Sequence, residues 1–463
     1  MDFPVFHLDF LGNRLLFGVM AVVHVLINHG LAVGLAPLVV LLEWFGMRTG
    51  DARWDDFAKR LLFTAFVITT SLGALTGVGI WVVASLVNPM AIGSLIRVFF
   101  WAWFTEWIVF VTEVGLILAY YLTWDRLQGA RKGLHLAIGA ALALASWLTM
   151  AIIVAILGFM MDTGDWAAAP SFVRGVLNPI YLPQLAFRTP TAMALAGLYA
   201  LFLAYFLLKR GDAFRREVIR LLGGWVLAWA PLVMGAAFLY WSVVPEAEVG
   251  NLPVAMATQA FAQWYRTLGW IIAGCGVALV ITAAWALALP RSMPRAWLLV
   301  PAVLATGMMG MFERVREFVR KPDVIEAYLY ANGVRHADYP LLRQEGLLAY
   351  ASFVPFHALT DENRLEAGRQ VFRLACTRCH TVSGVNGMTD KLTGLYGPGP
   401  WNADAVSAYL LGMHNTRYFM PPFPGSDAER EALAAWLVTL DGVPERLPGD
   451  QEVGAPFAAG VRP

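Results

Sequence analysis

Eight apolar runs govern what this chain can fold into. They fall at about 14–45, 58–86, 96–123, 134–161, 187–208, 218–244, 260–289 and 296–318, and each reaches the ~20 residues that an α-helix needs to cross a bilayer. Inside hydrocarbon every backbone N–H and C=O must be satisfied within its own segment, so runs of this length are expected to be helical. The extra length of several runs implies tilt or protrusion. With 58% hydrophobic and only 14% charged residues, the composition is that of a polytopic membrane protein carrying a smaller polar part. A net charge of +1 offers no footprint for nucleic acid. The chain has three cysteines, too few for a disulfide framework, and Cys275 stands alone in an apolar run where packing is its expected role.

Lys and Arg in the short loops set the orientation. Loops one, three, five and seven carry Arg48, Arg53, Lys59 and Arg60; Arg126, Arg131 and Lys132; Lys209, Arg210, Arg215, Arg216 and Arg220; and Arg291 and Arg295. The alternate loops hold few, chiefly Arg97, Arg174, Arg188 and Arg266. Both termini are therefore expected outside the cytoplasm. Residues 1–13 lack the basic start of a cleavable leader, so the first span is expected to act as the targeting signal.

The polar part contains Cys376-Thr377-Arg378-Cys379-His380. Cys-x-x-Cys-His is the attachment pattern of a c-type haem: two thiols bond the porphyrin edge and the adjacent histidine reaches the iron. A zinc site or a disulfide beside a coincidental histidine is the competing reading. Upstream lies an amphipathic segment, Arg364 to Ala375, containing Gly368-x-x-x-Phe372; downstream come Met420-Pro421-Pro422-Phe423 and a closing helix, Asp427 to Leu440. On these features residues 361–443 resemble class I cytochrome c, a resemblance that implies one covalent haem c with His380 and Met420 as axial ligands and Cys376 and Cys379 as attachment points. Met413, within the helical run Asp404 to Met413, is the rival sixth ligand. Haem is attached to such sites outside the cytoplasmic membrane, which agrees independently with the loop charges.

Ionisable groups inside spans are costly and therefore functional candidates. His24 sits mid-way along the first run, with Arg14 about three turns earlier. A neutral imidazole can bind haem iron and an arginine can pair with a haem propionate, while a histidine hydrogen-bonded to a neighbouring helix is the plainer alternative. Glu106 and Glu113 are seven residues apart, two turns, so both face one direction. Such a pair suits proton delivery or haem ligation, or a simple interhelical hydrogen bond. The eighth run ends with Glu313, Arg316, Glu317 and Arg320, a charged end suited to anionic partners or to solvent.

Residues 10–325 resemble subunit I of the cytochrome bd quinol oxidases. The matching features are Arg14 with His24 ten residues on, Thr76-Gly77, Glu113 with Trp124-Asp125-Arg126-Leu127, and His135 twenty-three residues ahead of Gly158-Phe159-Met160. Val176-Leu177-Asn178-Pro179, Tyr265-Arg266 and Glu317-Phe318-Val319-Arg320-Lys321-Pro322 complete the set, the last replacing the family's Glu-x-Gly-Arg-Gln-Pro. The resemblance implies that His24, Glu113 and Glu317 belong to a high-spin haem region that reduces oxygen, with Arg14 and Arg320 nearby. The family's other helix-three glutamate falls on Thr105, one residue from Glu106. The family's low-spin haem ligands are replaced by Ala186-Phe187-Arg188 and Leu268, and only residues 245–261 stand where the family has its long quinol loop.

The expected architecture is all-α. A bundle of about eight transmembrane helices (1–322), a connector (323–360), a periplasmic cytochrome c domain (361–443) and a loose tail (444–463) follow one another. The expected function is that of a membrane-bound electron-transfer haemoprotein in the inner membrane, a bd-type terminal oxidase subunit passing electrons from a periplasmic donor through haem c to a membrane haem. Beside the haem c, one or two non-covalent haems of b and/or d type are implied. Implied partners are a second integral subunit resembling bd subunit II, membrane lipid, and a donor such as a small cytochrome c, a cupredoxin or a dehydrogenase. The alternative is an electron-transfer subunit that exchanges electrons with quinol or an external acceptor through haem c without reducing oxygen.

Overall fold

The structure, a computed structural model, describes residues 4–209 and 212–441. The expected loose tail, 444–463, lies outside the described residues. Eight helices are long and apolar enough to cross a membrane: α1 Asn13–Thr49, α2 Ala52–Val87, α3 Pro89–Leu122, α4 Gly129–Met161, α5 Tyr181–Leu207, α6 Ala213–Trp241, α7 Phe261–Ala288 and α8 Arg295–Val319. The chain is thus a multi-pass membrane protein. The described residues divide into two compact units, one within 17–337 together with 417–421, the other of residues 4–16, 338–416 and 422–441.

In the first unit the helices pack through small residues and interlocking apolar side chains. Leu35, Leu38 and Leu42 of α1, Phe57 and Leu61 of α2, Leu195 and Leu201 of α5 and Leu222 of α6 form one buried core. Gly34 permits the closest approach: a methyl group there would lie 2.0 Å from the Ala192 carbonyl oxygen of α5. Two spans are not uniform helices. α1 widens to a π-helix at Asn28–Val33 and α2 at Thr69–Gly73, deviations that free backbone groups and often mark functional positions.

The basic loops converge at one end of this unit. Lys59 bonds Asp125 at 2.6 Å, Arg53 approaches Glu217 at 3.9 Å, and Arg295 donates to the Tyr205 carbonyl at 2.5 Å. At the other end, Asn251 donates to the carbonyls of Val319 and Lys321 (3.0 and 2.6 Å), and Thr163 to Glu326 (3.0 Å). Arg188, grouped above with the loops, lies inside α5 and is 1% exposed.

The segment expected to be a connector is shared between the units. Its first part forms a hairpin, β1 Asp323–Ile325 and β2 Leu329–Tyr330, whose Val324, Ile325 and Leu329 pack with Phe99 and Phe159 of the bundle. From Asp338 onward it belongs with the cytochrome part, beginning with α9 Tyr339–Glu345. There α10 Arg364–Ala375, α11 Met388–Tyr396, α12 Ala403–Thr416 and α13 Asp427–Val438 follow. Gly368 explains the Gly-x-x-x-Phe spacing: a Cβ there would stand 2.1 Å from the Ala432 carbonyl oxygen, so α10 and α13 cross closely, and one turn on Phe372 meets Trp436 at 5.0 Å between ring centroids.

Candidate haem sites

The Cys-x-x-Cys-His motif folds as a tight turn at the end of α10. Cys376 N donates to the Phe372 carbonyl (2.9 Å), and Cys379 N and His380 N both donate to the Cys376 carbonyl (3.0 and 2.9 Å). Both thiols are free. Asn386, at φ 62°, donates from its side chain to the Cys379 carbonyl at 2.7 Å and presents its own carbonyl to His380 Nδ1 at 3.2 Å. A proton held on Nδ1 leaves Nε2 as the ligating nitrogen. Burial pushes the His380 pKa down to about 4, against the Asn386 hydrogen bond and with help from Lys391 and Arg14, so the ring is neutral, as iron binding requires. No group of three or more His, Cys, Asp or Glu that could hold a metal ion assembles among the described residues. Met413 lies inside α12, whereas Met420 follows it in the loop before Pro421 and Pro422.

In the membrane unit, His24 points its Nδ1 at the Gly73 carbonyl oxygen and at Thr76 Oγ1, both at 3.2 Å. Gly73 closes the π-helical segment of α2, and Gly77 makes room for the ring, since a methyl there would be 3.1 Å from His24 Cε1. Donation from Nδ1 to Gly73 fixes the tautomer and leaves Nε2 available to a metal. His24 is thus bonded to a neighbouring helix through Nδ1.

At the end of α8, Glu317 pairs with Arg320 and, at 3.2 Å, with Lys321, while Arg320 also donates to the Val324 carbonyl at 2.9 Å. Arg320 Nε and Arg316 Nη1 are buried without a hydrogen-bond partner among the described residues. Buried donors are rarely left unsatisfied, so these two fit an anionic group such as a haem propionate. Arg14 belongs to the cytochrome unit, where its charge acts on His380.

Glu113 accepts from Ser146 Oγ at 2.6 Å and Thr149 Oγ1 at 3.3 Å, both on α4. With Ser146, Thr69 and Thr70 it supplies the polar part of the wall of a cavity of about 160 Å³ lined mainly by apolar side chains such as Leu31, Leu35 and Phe110. Glu106, half-buried two turns away on α3, makes no hydrogen bond among the described residues. His24, Glu113 and Glu317 share no hydrogen bond with one another; each has its own partners.

Residues 13–247 match the family described as cytochrome bd terminal oxidase subunit I. The chain belongs to this family. Residues 363–437 match cytochrome c oxidase, cbb3-type, subunit III, so this bd-family chain carries a cytochrome c domain at its C-terminal side. The solved structure of bd oxidase from Geobacillus thermodenitrificans is similar over 68% of this chain and 89% of that one, with a TM-score of 0.57 and 16% identity, a likeness of fold. No curated protein matches the chain. It is therefore a bd-oxidase-like membrane haemoprotein, an oxidoreductase that transfers electrons, with covalent haem c and b-type haem implied by its two parts.

Two buried polar clusters of this bd-family chain escaped the reading of its sequence. Glu43 (0% exposed) accepts from His135 Nδ1 and Tyr120 Oη, each at 2.5 Å, and from Lys132 at 2.9 Å. The signal was present: a carboxylate near the end of the first apolar run, and Lys132 and His135 three residues apart on α4. The second cluster joins His29, Arg188, Glu313 and Arg316. Arg188 donates to His29 Nε2 at 3.0 Å and to Glu313 Oε1 at 2.7 Å, and Arg316 donates to Glu313 Oε2 at 2.9 Å. The helix-five position implied for a low-spin haem ligand is thus taken by a guanidinium already committed to two partners, and it offers no ligand to iron.

Proposed function

We propose that this chain is the haem-bearing subunit of a bd-type terminal oxidase whose electrons enter through haem c. One electron at a time comes from a periplasmic donor, a small cytochrome c, cupredoxin or dehydrogenase, and four electrons with four protons convert one oxygen molecule to two waters. Bound haem would supply the one-electron chemistry and, at an open iron position, the place where oxygen is reduced. His380 with Met420 would hold the covalent group at Cys376 and Cys379, and His24 would ligate a non-covalent haem b or d through Nε2. Arg320 and Arg316 would balance propionate charge. Glu113, held by Ser146 and Thr149, and Glu106 on the same helix would hold and pass protons, and Glu317 would orient Arg320.

The observation that carries this reading is the hydrogen bond from His24 Nδ1 to Gly73, because it prepares the ring for a metal rather than only for packing. The positive-inside trend supports placing the basic loops in the cytoplasm and the cytochrome part in the periplasm. α3 turns Trp101 (64% exposed) and Trp107 (61%) outward, which suits a second integral subunit.

The test is an optical spectrum of the purified protein, oxidised, reduced, and reduced with carbon monoxide, with haem types counted as pyridine haemochromes. A c-type signal beside a second haem that shifts with carbon monoxide is expected. A single c haem indifferent to the gas would overturn the oxidase reading and leave an electron-transfer subunit.

A further inference from the structure

The N-terminal segment ahead of α1 is bonded to the loop that follows His380. Asp9 Oδ1 accepts from Val382 N at 2.6 Å and Oδ2 from Ser383 Oγ at 3.4 Å. Val385 N donates to the Phe10 carbonyl at 3.4 Å. The fit is close: a methyl at Gly384 would stand 1.9 Å from the Asp9 carbonyl oxygen, and one at Gly12 would stand 3.2 Å from Thr381 Cγ2. The same segment is tied to the helix it precedes. Asn13, 1% exposed, donates to the Phe6 carbonyl at 2.7 Å and accepts from Leu8 N at 3.3 Å.

We propose that residues 6–12 are a latch fixing the His380 loop to the first turn of α1, with Asp9 as its positioning residue. The inference rests on the proposed electron route. Asn13 opens α1, so the latch ties the loop that follows His380 to the first residues of the helix in whose sequence His24 stands. Asp9 suits the task. Burial opposes its charge, but His7, Val382 and Ser383 outweigh it and hold the carboxyl below the usual range, so it accepts both bonds as a carboxylate. Val382 is two positions after His380, so freeing this loop loosens the mounting of the ring that Asn386 orients. Electron transfer out of haem c then samples many geometries instead of one.

The experiment uses the full-length, haem-loaded protein in detergent and compares Asp9→Ala, Asp9→Glu and Gly384→Ala with the parent. Hydrogen exchange of the peptide spanning 381–389 should quicken about tenfold in Asp9→Ala and Gly384→Ala, with the optical spectrum of haem c unchanged. Flash reduction of haem c should show onward electron transfer slowed about tenfold or more in the same two variants, and partly restored in Asp9→Glu. Unchanged exchange overturns the latch. Quicker exchange with an unchanged transfer rate overturns the positioning role. If the parent itself passes no electron onward, the proposed electron route fails, and the exchange measurement still judges the latch.

Discussion

Arg188 and Glu313 form an ion pair inside the bundle, Nη2 to Oε1 at 2.7 Å, with side-chain exposures of 1% and 4%. Its partners on either side are His29 and Arg316. A buried pair is weak evidence of net stabilisation against an apolar replacement, but loss of one partner strands the other charge. Arg188→Met is expected to destabilise the membrane unit by about 3–5 kcal/mol, and Arg188→Met with Glu313→Gln to recover part of that loss. Thermal inactivation in detergent, followed by haem release, measures both; a double variant no better than the single would remove the pairing argument.

His24→Ala is expected to abolish the non-c haem signal and leave haem c content unchanged. Thr76→Val, which removes only the hydroxyl 3.2 Å from Nδ1, should weaken retention of the same haem by about tenfold. Haemochrome counting before and after dilution in detergent separates the two effects.

Glu248, in the stretch between α6 and α7, is 6% exposed and its Oε2 has no hydrogen-bond partner among the described residues. Burial pushes its carboxyl from an ordinary 4.5 up to about 8; Asp162 and Glu326 add to the rise, and Arg320 and Arg316 oppose it. The folded state therefore keeps a proton that the unfolded chain releases between about 4.5 and 8. Its contribution lowers stability as pH rises through that window and levels off above it. Glu248→Gln should flatten this slope and be the more stable form at pH 8 by roughly 2–4 kcal/mol, read from melting midpoints across the range. Parallel pH profiles for the two proteins would contradict the assignment.

Glu429 closes a capping box with Ser426 at the start of α13 and also accepts from the backbone N–H groups of Leu347 and Leu348 at 2.7 and 2.8 Å. Those two residues are 0% and 1% exposed, so no solvent could replace the carboxylate. Glu429→Ala is expected to lower the stability of the cytochrome part by about 3 kcal/mol, while Glu429→Gln, which keeps one acceptor, loses less. Melting followed in the haem c absorbance of the full-length protein checks the order.

Much of this protein was readable without coordinates, because it is written in contiguous windows. Partition between water and hydrocarbon acts over some twenty residues at a time, so all eight spans emerged in place, with α2, α3 and α5 starting earlier than expected, at Ala52, Pro89 and Tyr181 rather than 58, 96 and 187. Attachment of haem c needs five adjacent residues, and His24 drew notice because an imidazole inside a span is rare.

What the sequence left open are the partnerships between distant residues. Arg188 meets residues 159 and 125 positions away, Glu43 meets His135 across 92, and Asp9 meets Val382 across 373. The segment 323–360 read as a connector because its prolines interrupt any period, yet Val324 and Leu329 join the bundle core while Leu347 and Leu348 are stapled to Glu429. Burial of a charge is tolerable only where packing delivers its counter-charge. Local sequence therefore determined which segments enter the membrane and which can carry haem, while tertiary packing alone decided which polar groups meet there.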